Sequence, residues 1–264
     1  MKDGRYQILL TNDDGIMSPG LHAAARELGK LGYVTIAAPL RQYSGAGRSL
    51  PADFDRTVEK TELKIGDQCW PAYAVGGPPA MVVLRVLYEI LDFRPDLVVS
   101  GINYGENVGD SITASGTVGA ALEAATWGIP AIAVSRQIEN LWDYLEHSEN
   151  VDFSTAAYFT AYFARQLLQK KLPYDVDVLK IDVPIDATPQ TPWRITRMAR
   201  NRYYAEPGDK YKHTGGRLPI TPADVPPDSD IAALLFDRVV SVTPLSVDLT
   251  SRVDFETLRQ LLSQ

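Results

Sequence analysis

The sequence predicts an α/β fold, a mostly parallel sheet covered by helices on both faces. Short apolar runs such as ILLT, DLVVS and AIAVS recur along the first half, separated by segments of helical character. Strands buried on both faces read as unbroken apolar runs, and parallel strands need a crossover between them. The third observation is scale: 264 residues with 45% hydrophobic content can bury a sizeable core as one large domain.

Taken in order, residues 6–11 read as a short, fully buried strand. Residues 21–31 form a helix rich in Ala and Leu that ends near Gly32. A second strand, 34–38, stops at Pro39, and residues 54–75 alternate with turn breaks, as extra strands would. A helix over 79–91, a strand over 96–100, an Ala-rich helix over 117–127 and a strand over 131–135 complete the alternation. Beyond residue 153 the pattern changes. Residues 153–170 read as a long helix with an aromatic, Ala-rich face, and 178–184 as a strand. Residues 193–230 are rich in Arg, Tyr, Pro and Gly and read as strands and exposed loops rather than a second compact core. A late strand near 239–246 and a short helix over 253–262 close the chain. There is no internal repeat, so the expectation is a single domain over 1–264, with a core over about 1–190 and extensions over about 191–264.

Net charge is −7, and no Lys/Arg run has the length of a nucleic-acid footprint. A nucleic-acid polymer is therefore not expected as a partner. Cys69 is the single cysteine, which excludes an internal disulfide and a cysteine-based zinc cluster; it is expected to be a small buried or half-buried residue. No basic segment leads into a long apolar one and no apolar run approaches membrane-spanning length, so a cytoplasmic protein is expected.

Four polar clusters carry the chemistry: Asn12-Asp13-Asp14-Gly15, then APLRQYSGAGRSL at 38–50, SGINYGENVG at 100–109 and SGTVGAALEA at 115–124. Three of them directly follow predicted strands. In open α/β sheets ligands bind beyond the carboxyl ends of the strands, so these loops can converge on one cleft. The first supplies two adjacent carboxylates, which repel each other and resist burial without a positive partner. The second supplies Ser44 in a Gly-flanked turn, and the third supplies Asn103 and Asn107. Two Asp, a Ser hydroxyl and an Asn carbonyl are hard oxygen donors of the kind that suit Mg²⁺ or Mn²⁺. In the fourth, Ser115, Gly116 and Thr117 start a helix whose free N–H groups and dipole favour an anion such as phosphate.

Each piece alone has a plainer reading: Asp-Asp-Gly as a turn, Ser115 as an ordinary helix cap. GTVGAA lacks both the spacing of a dinucleotide fingerprint and a following acidic residue, which disfavours a nicotinamide-dependent oxidoreductase. His22, His147 and His213 are scattered without metal-ligand spacing, and His22 reads as structural or exposed.

Together, ILLTNDDGI, APLRQYSGAGRS, DLVVSGINYGENVG, SGTVGAALEA and GIPAIAVS resemble the SurE family of nucleotidases, strongly over about residues 6–135. The resemblance implies a Rossmann-like core, with C-terminal strand hairpins and a terminal segment that build homodimers or homotetramers. It implies a metal-dependent phosphatase acting on nucleoside 5′- and 3′-monophosphates, in which water activated by the metal attacks phosphorus and releases the nucleoside. By the same resemblance Asp13, Asp14, Ser44 and Asn103 would hold one divalent cation per subunit, Mg²⁺ or Mn²⁺. Asn12, Gly45, Asn107, Ser115, Gly116 and Thr117 would line the phosphate site. The resemblance likewise implies that Asp13 and Asp14 are the catalytic pair, one of which would orient the water. Two departures bear on substrate preference. Ser111 stands where many members have a second acidic residue, and Ala114 where many have an aromatic residue or His. The alternative is a nucleotide-binding regulatory module without catalysis. Two retained carboxylates facing a phosphate argue for the enzyme.

Overall fold

In the computed structural model, which describes residues 4–139, 143, 147, 148, 150–205 and 216–263, the chain forms one nine-stranded sheet with helices on both faces. The strands are β1 (Tyr6–Thr11), β2 (Gly32–Pro39), β3 (Val58–Ile65), β4 (Gln68–Val75), β5 (Leu97–Tyr104), β6 (Ala131–Arg136), β7 (Val178–Val183), β8 (Trp193–Ile195) and β9 (Val240–Leu245). Their spatial order is β3-β4-β2-β1-β5-β6-β7-β9-β8. From β4 through β7 every neighbouring pair is parallel; β3 and β9 pair antiparallel with β4 and β7. From β1 the chain first moves outward to β2 and later returns to place β5 on the other side of β1. That reversal opens a crevice at the carboxyl ends of β1 and β5.

The helices are α1 (Pro19–Leu28), α2 (Pro79–Arg85), α3 (Gly116–Thr126), α4 (Ser154–Gln169), α5 (Asp230–Leu235) and α6 (Phe255–Leu262). Helices α1 and α4 pack together on one face of the sheet, α2 and α3 on the other. The pleat of β1 sorts its side chains accordingly: Ile8 and Leu10 enter the core under α1 and α4, and Leu9 enters the core under α2 and α3. Among the described residues no helix is long and apolar enough to cross a membrane.

Several local readings are refined. The helix expected over 79–91 is α-helical only over Pro79–Arg85 and continues as a π turn over Val86–Ile90. The alternating stretch 54–75 is the β3–β4 hairpin. Cys69 is exposed rather than buried or half-buried, sitting beside the hairpin turn of the edge pair β3–β4. The region 193–230 contributes one short strand and a small satellite core in which Val108 meets Ala199, Tyr203, Val225, Ile231 and Leu234. An antiparallel bridge joins Tyr204 to Arg217. His213 lies outside the described residues.

Candidate functional site

The site is built where β1 ends. Asn12 closes a tight turn: its Nδ2 donates to the Gly15 carbonyl at 3.0 Å, and its Oδ1 accepts from the Gly15 N–H at 3.2 Å. Gly15 holds φ of +100°, which a side chain disfavours. The Asn12 side chain is thus engaged with its own turn, and its role there is to set Asp13 and Asp14 on the tip of β1.

Both carboxylates are buried. Asp13 receives two hydrogen bonds from one residue, the Thr117 hydroxyl to Oδ1 at 2.5 Å and the Thr117 N–H to Oδ2 at 3.1 Å. Asp14 Oδ2 accepts from the Tyr104 N–H at 3.2 Å. Burial pushes the carboxyls of both above the ordinary range, and the Asp13 charge pushes Asp14 further. Among the described residues no Lys or Arg forms an ion pair with either.

The other loops reach the pair through their backbones. The Tyr43 N–H donates to the Asp13 carbonyl at 2.8 Å, which docks the loop carrying Ser44 and Gly45; both of those residues are exposed. The same loop is pinned to the start of α3 by the Gly47 N–H on the Ala114 carbonyl at 2.8 Å. Asn103 stands at the end of β5, next to the Tyr104 that binds Asp14. Its Nδ2 donates to the carbonyls of Tyr104 and Gly105, at 3.2 and 2.8 Å, which leaves its Oδ1 as an acceptor or ligand oxygen. Ser115 is the N-cap of α3, its Oγ accepting from the Val118 N–H at 3.1 Å. A Cβ on Gly116 would stand 2.8 Å from both Cβ and Oδ2 of Asp13, so only glycine lets the helix start approach this carboxylate. Asn107 is anchored elsewhere, on the side of β6 and β7. Its Nδ2 donates to Ser135 Oγ and its N–H to Asp182 Oδ1, both at 2.8 Å.

The structure therefore gathers Asp13, Asp14, Gly116 and Thr117 in direct contact, with Asn103 and Ser44 one residue from groups that touch the pair. The hydroxyl of Thr117 is directed at Asp13 and that of Ser115 caps the helix, whereas the sequence pattern directs both at phosphate. The donor set fits a hard divalent cation: two buried carboxylates without a cationic partner among the described residues, an Asn carbonyl oxygen and a Ser hydroxyl. Among the described residues there is no cluster of three or more His, Cys, Asp or Glu suited to a metal, so a cation here depends on the two carboxylates and on neutral oxygens.

Sequence reasoning missed three participants. Tyr43 and Tyr104 act through backbone N–H groups, which carry no side-chain signature. His147, read as scattered, brings Nε2 to 2.9 Å from the Asp14 carbonyl oxygen across 133 positions of sequence.

A sheet of this order, with an acidic pair and a helix N-terminus at its topological switch point, belongs to the doubly wound α/β class, whose ligand sites lie in the crevice beyond the carboxyl ends of the strands. Comparison with known proteins narrows the class. Residues 8–205 match the family described as Survival protein SurE. A protein from Thermococcus gammatolerans named 5′-nucleotidase SurE is 43% identical over 264 residues, which span 97% of this chain and 96% of that one. A protein of the same name from Archaeoglobus fulgidus is 41% identical, with 95% of each chain covered. The crystal structure of the SurE protein from Aquifex aeolicus matches with a TM-score of 0.69 at 31% identity, covering 98% of this chain and all of that one. The chain belongs to the SurE family.

Proposed function

We propose that this protein is a metal-dependent nucleotidase that hydrolyses nucleoside 5′- and 3′-monophosphates to nucleoside and phosphate. The observation that carries the reading is the buried Asp13–Asp14 pair at the start of α3, which has no cationic partner among the described residues. The names of the relatives support nucleotide phosphate as the substrate.

Asp13, Asp14, Ser44 and Asn103 would hold one Mg²⁺ or Mn²⁺ per subunit. When bound, such a cation polarises a phosphoryl oxygen and lowers the pKa of its water. Thr117 fixes the rotamer of Asp13 through two hydrogen bonds. The first turn of α3 supplies positive potential for the phosphate, and the loops of Gly45 and Asn107 flank it. One of the two carboxylates would orient the water whose oxygen bonds to phosphorus as the phosphorus–nucleoside oxygen bond breaks, the nucleoside leaving as its hydroxyl with a proton from that water.

The working form is a homodimer or homotetramer. Helix α6 supports this, because every described residue in it is exposed, including Phe255, Leu258, Leu261 and Leu262. An unpaired, exposed cysteine suits the reducing cytoplasm.

The test is release of phosphate from 5′-AMP, 3′-AMP and GMP with Mn²⁺ or Mg²⁺, against an EDTA control. Turnover that EDTA abolishes is expected. Tight nucleotide binding without turnover would make the protein a regulatory module, and turnover indifferent to EDTA would remove the metal from the reading.

A further inference from the structure

Away from the carboxylate pair, three charged side chains lie fully buried together. Lys180 and Asp182 stand two residues apart on β7, and Asp230 begins α5; all three are 0% exposed. Lys180 Nζ donates to Asp182 Oδ2 at 2.5 Å, to Asp230 Oδ2 at 3.2 Å and to the Asn107 carbonyl at 2.8 Å. An ammonium has three donors, and all three are used. The carboxylates return to the same loop: Asp182 Oδ1 accepts from the Asn107 N–H at 2.8 Å, and Asp230 Oδ2 accepts from the Gly109 N–H at 3.1 Å. Three backbone bonding groups of the 107–109 loop are thereby held by one network.

Buried ion pairs are a poor way to stabilise a fold, since well-packed apolar residues of similar volume often do as well or better. What such a network does provide is a fixed backbone geometry. Burial pulls the Lys180 ammonium down, but the charges of Asp182 and Asp230 outweigh it and leave its pKa raised; burial pushes Asp182 up to about 6. Lys180 and Asp182 stand as an ion pair at 2.5 Å. The residue whose two peptide groups they grip is Asn107. One N–H of its amide goes to Ser135, and the other is available to a ligand. The preceding residue is held as well: Glu106 accepts from the Tyr203 hydroxyl at 2.6 Å and from Arg217 Nη2 at 3.1 Å.

We propose that Lys180, with Asp182 and Asp230, is a positioning residue that fixes the 106–109 loop so that the Asn107 amide meets the substrate phosphate. The proposal rests on the nucleotidase reading for the role of Asn107. It adds that phosphate affinity is set in part by a buried charge network that never touches the ligand.

The test compares wild type, Lys180→Met, and Lys180→Met with Asp230→Asn; the double variant keeps the net charge of the trio unchanged. Asn107→Ala is added alone and in both backgrounds. The expected result is a KM for 5′-AMP and an inhibition constant for inorganic phosphate that both rise about tenfold in the Lys180 variants. The Mn²⁺ concentration for half-maximal activity stays at its wild-type value. In the Asn107→Ala background the Lys180 substitution adds nothing further, because its effect passes through that amide. Additive losses, unchanged KM and phosphate inhibition, or failure of both Lys180 variants to fold would each overturn the proposal. If wild type itself releases no phosphate, the nucleotidase reading fails separately, and the same cycle is read by calorimetric titration of 5′-AMP and inorganic phosphate.

Discussion

Thr117 binds Asp13 twice, its hydroxyl to one carboxylate oxygen at 2.5 Å and its N–H to the other at 3.1 Å. The first turn of a helix and the tip of a strand thus share one carboxylate, although 104 positions separate them in sequence. The arrangement locks the Asp13 rotamer. Helix α3 is held in place by the residue it would assist.

Thr117→Val keeps the shape of the side chain and removes the hydroxyl. A hydrogen bond to a charged acceptor contributes about 1.5–3 kcal/mol. With each ~1.4 kcal/mol worth a factor of ten, kcat/KM is expected to fall about ten- to a hundredfold. Because the lost partner belongs to a proposed metal ligand, the Mn²⁺ requirement should rise as well. Steady-state kinetics across a Mn²⁺ titration check both. A variant that loses thermal stability but keeps kcat/KM and its Mn²⁺ requirement would reduce Thr117 to a packing residue.

Gly116→Ala tests the close approach directly. The added methyl would meet Asp13 at 2.8 Å, a distance that forces either the strand tip or the helix start to move. Overpacking of this kind costs about 1–3 kcal/mol of stability. The displaced carboxylate should also lower kcat by at least tenfold. Urea denaturation and kinetics on one preparation measure the two losses. A variant with wild-type activity would mean that the carboxylate position is not critical.

Much of this fold is legible in the sequence because β1, β5 and β6 are buried on both faces and carry the apolar runs ILL, LVV and AIAV, whereas β7 is just as buried although Lys180 and Asp182 interrupt its run. The loops at their carboxyl ends stand out as polar and Gly-rich against those runs, which is why Asp13, Asp14, Asn103 and Thr117 are visible in the sequence alone. Edge elements are harder. Cys69 reads as a small buried or half-buried residue, yet it is exposed beside the β3–β4 hairpin turn. Lys180, Asp182 and Asp230 are illegible for a different reason. A lysine and two aspartates read singly as solvated surface charges, and only the fold brings Asp230 across 50 positions to Lys180. His147 is hidden in the same way, since its partner is a backbone carbonyl.

Asp14→Asn should abolish turnover and stabilise the metal-free protein. Burial and the Asp13 charge both work against ionisation of Asp14, so a neutral amide relieves a cost that the wild type carries when no cation is bound. In EDTA the variant is expected to melt a few degrees above wild type. Added Mn²⁺ should reverse the order. A cation at a hundred times its dissociation constant stabilises the wild type by about 2.7 kcal/mol and gives the variant much less. Melting curves with and without Mn²⁺ decide it. Wild-type turnover in the variant, or an equal response to Mn²⁺, would remove Asp14 from the ligand set.

The last prediction concerns α6. Its apolar residues Phe255, Leu258, Leu261 and Leu262 fall on helical spacing, and their exposures run from 39% to 77%. A helix with such a stripe, left uncovered among the described residues, is stabilised by burying it against another surface. Full burial of a Leu or Phe side chain contributes about 1.5–3 kcal/mol. Replacing two of them by charges should therefore weaken association by about a hundredfold or more. The wild type is expected to be a homodimer or homotetramer by light scattering at micromolar concentration. Leu258→Asp combined with Leu261→Asp should shift it to a smaller species. The far-ultraviolet spectrum should stay close to wild type, because neither residue is buried in the subunit. A monomeric wild type would contradict the assembly, and an unchanged assembly in the double variant would move the interface away from α6.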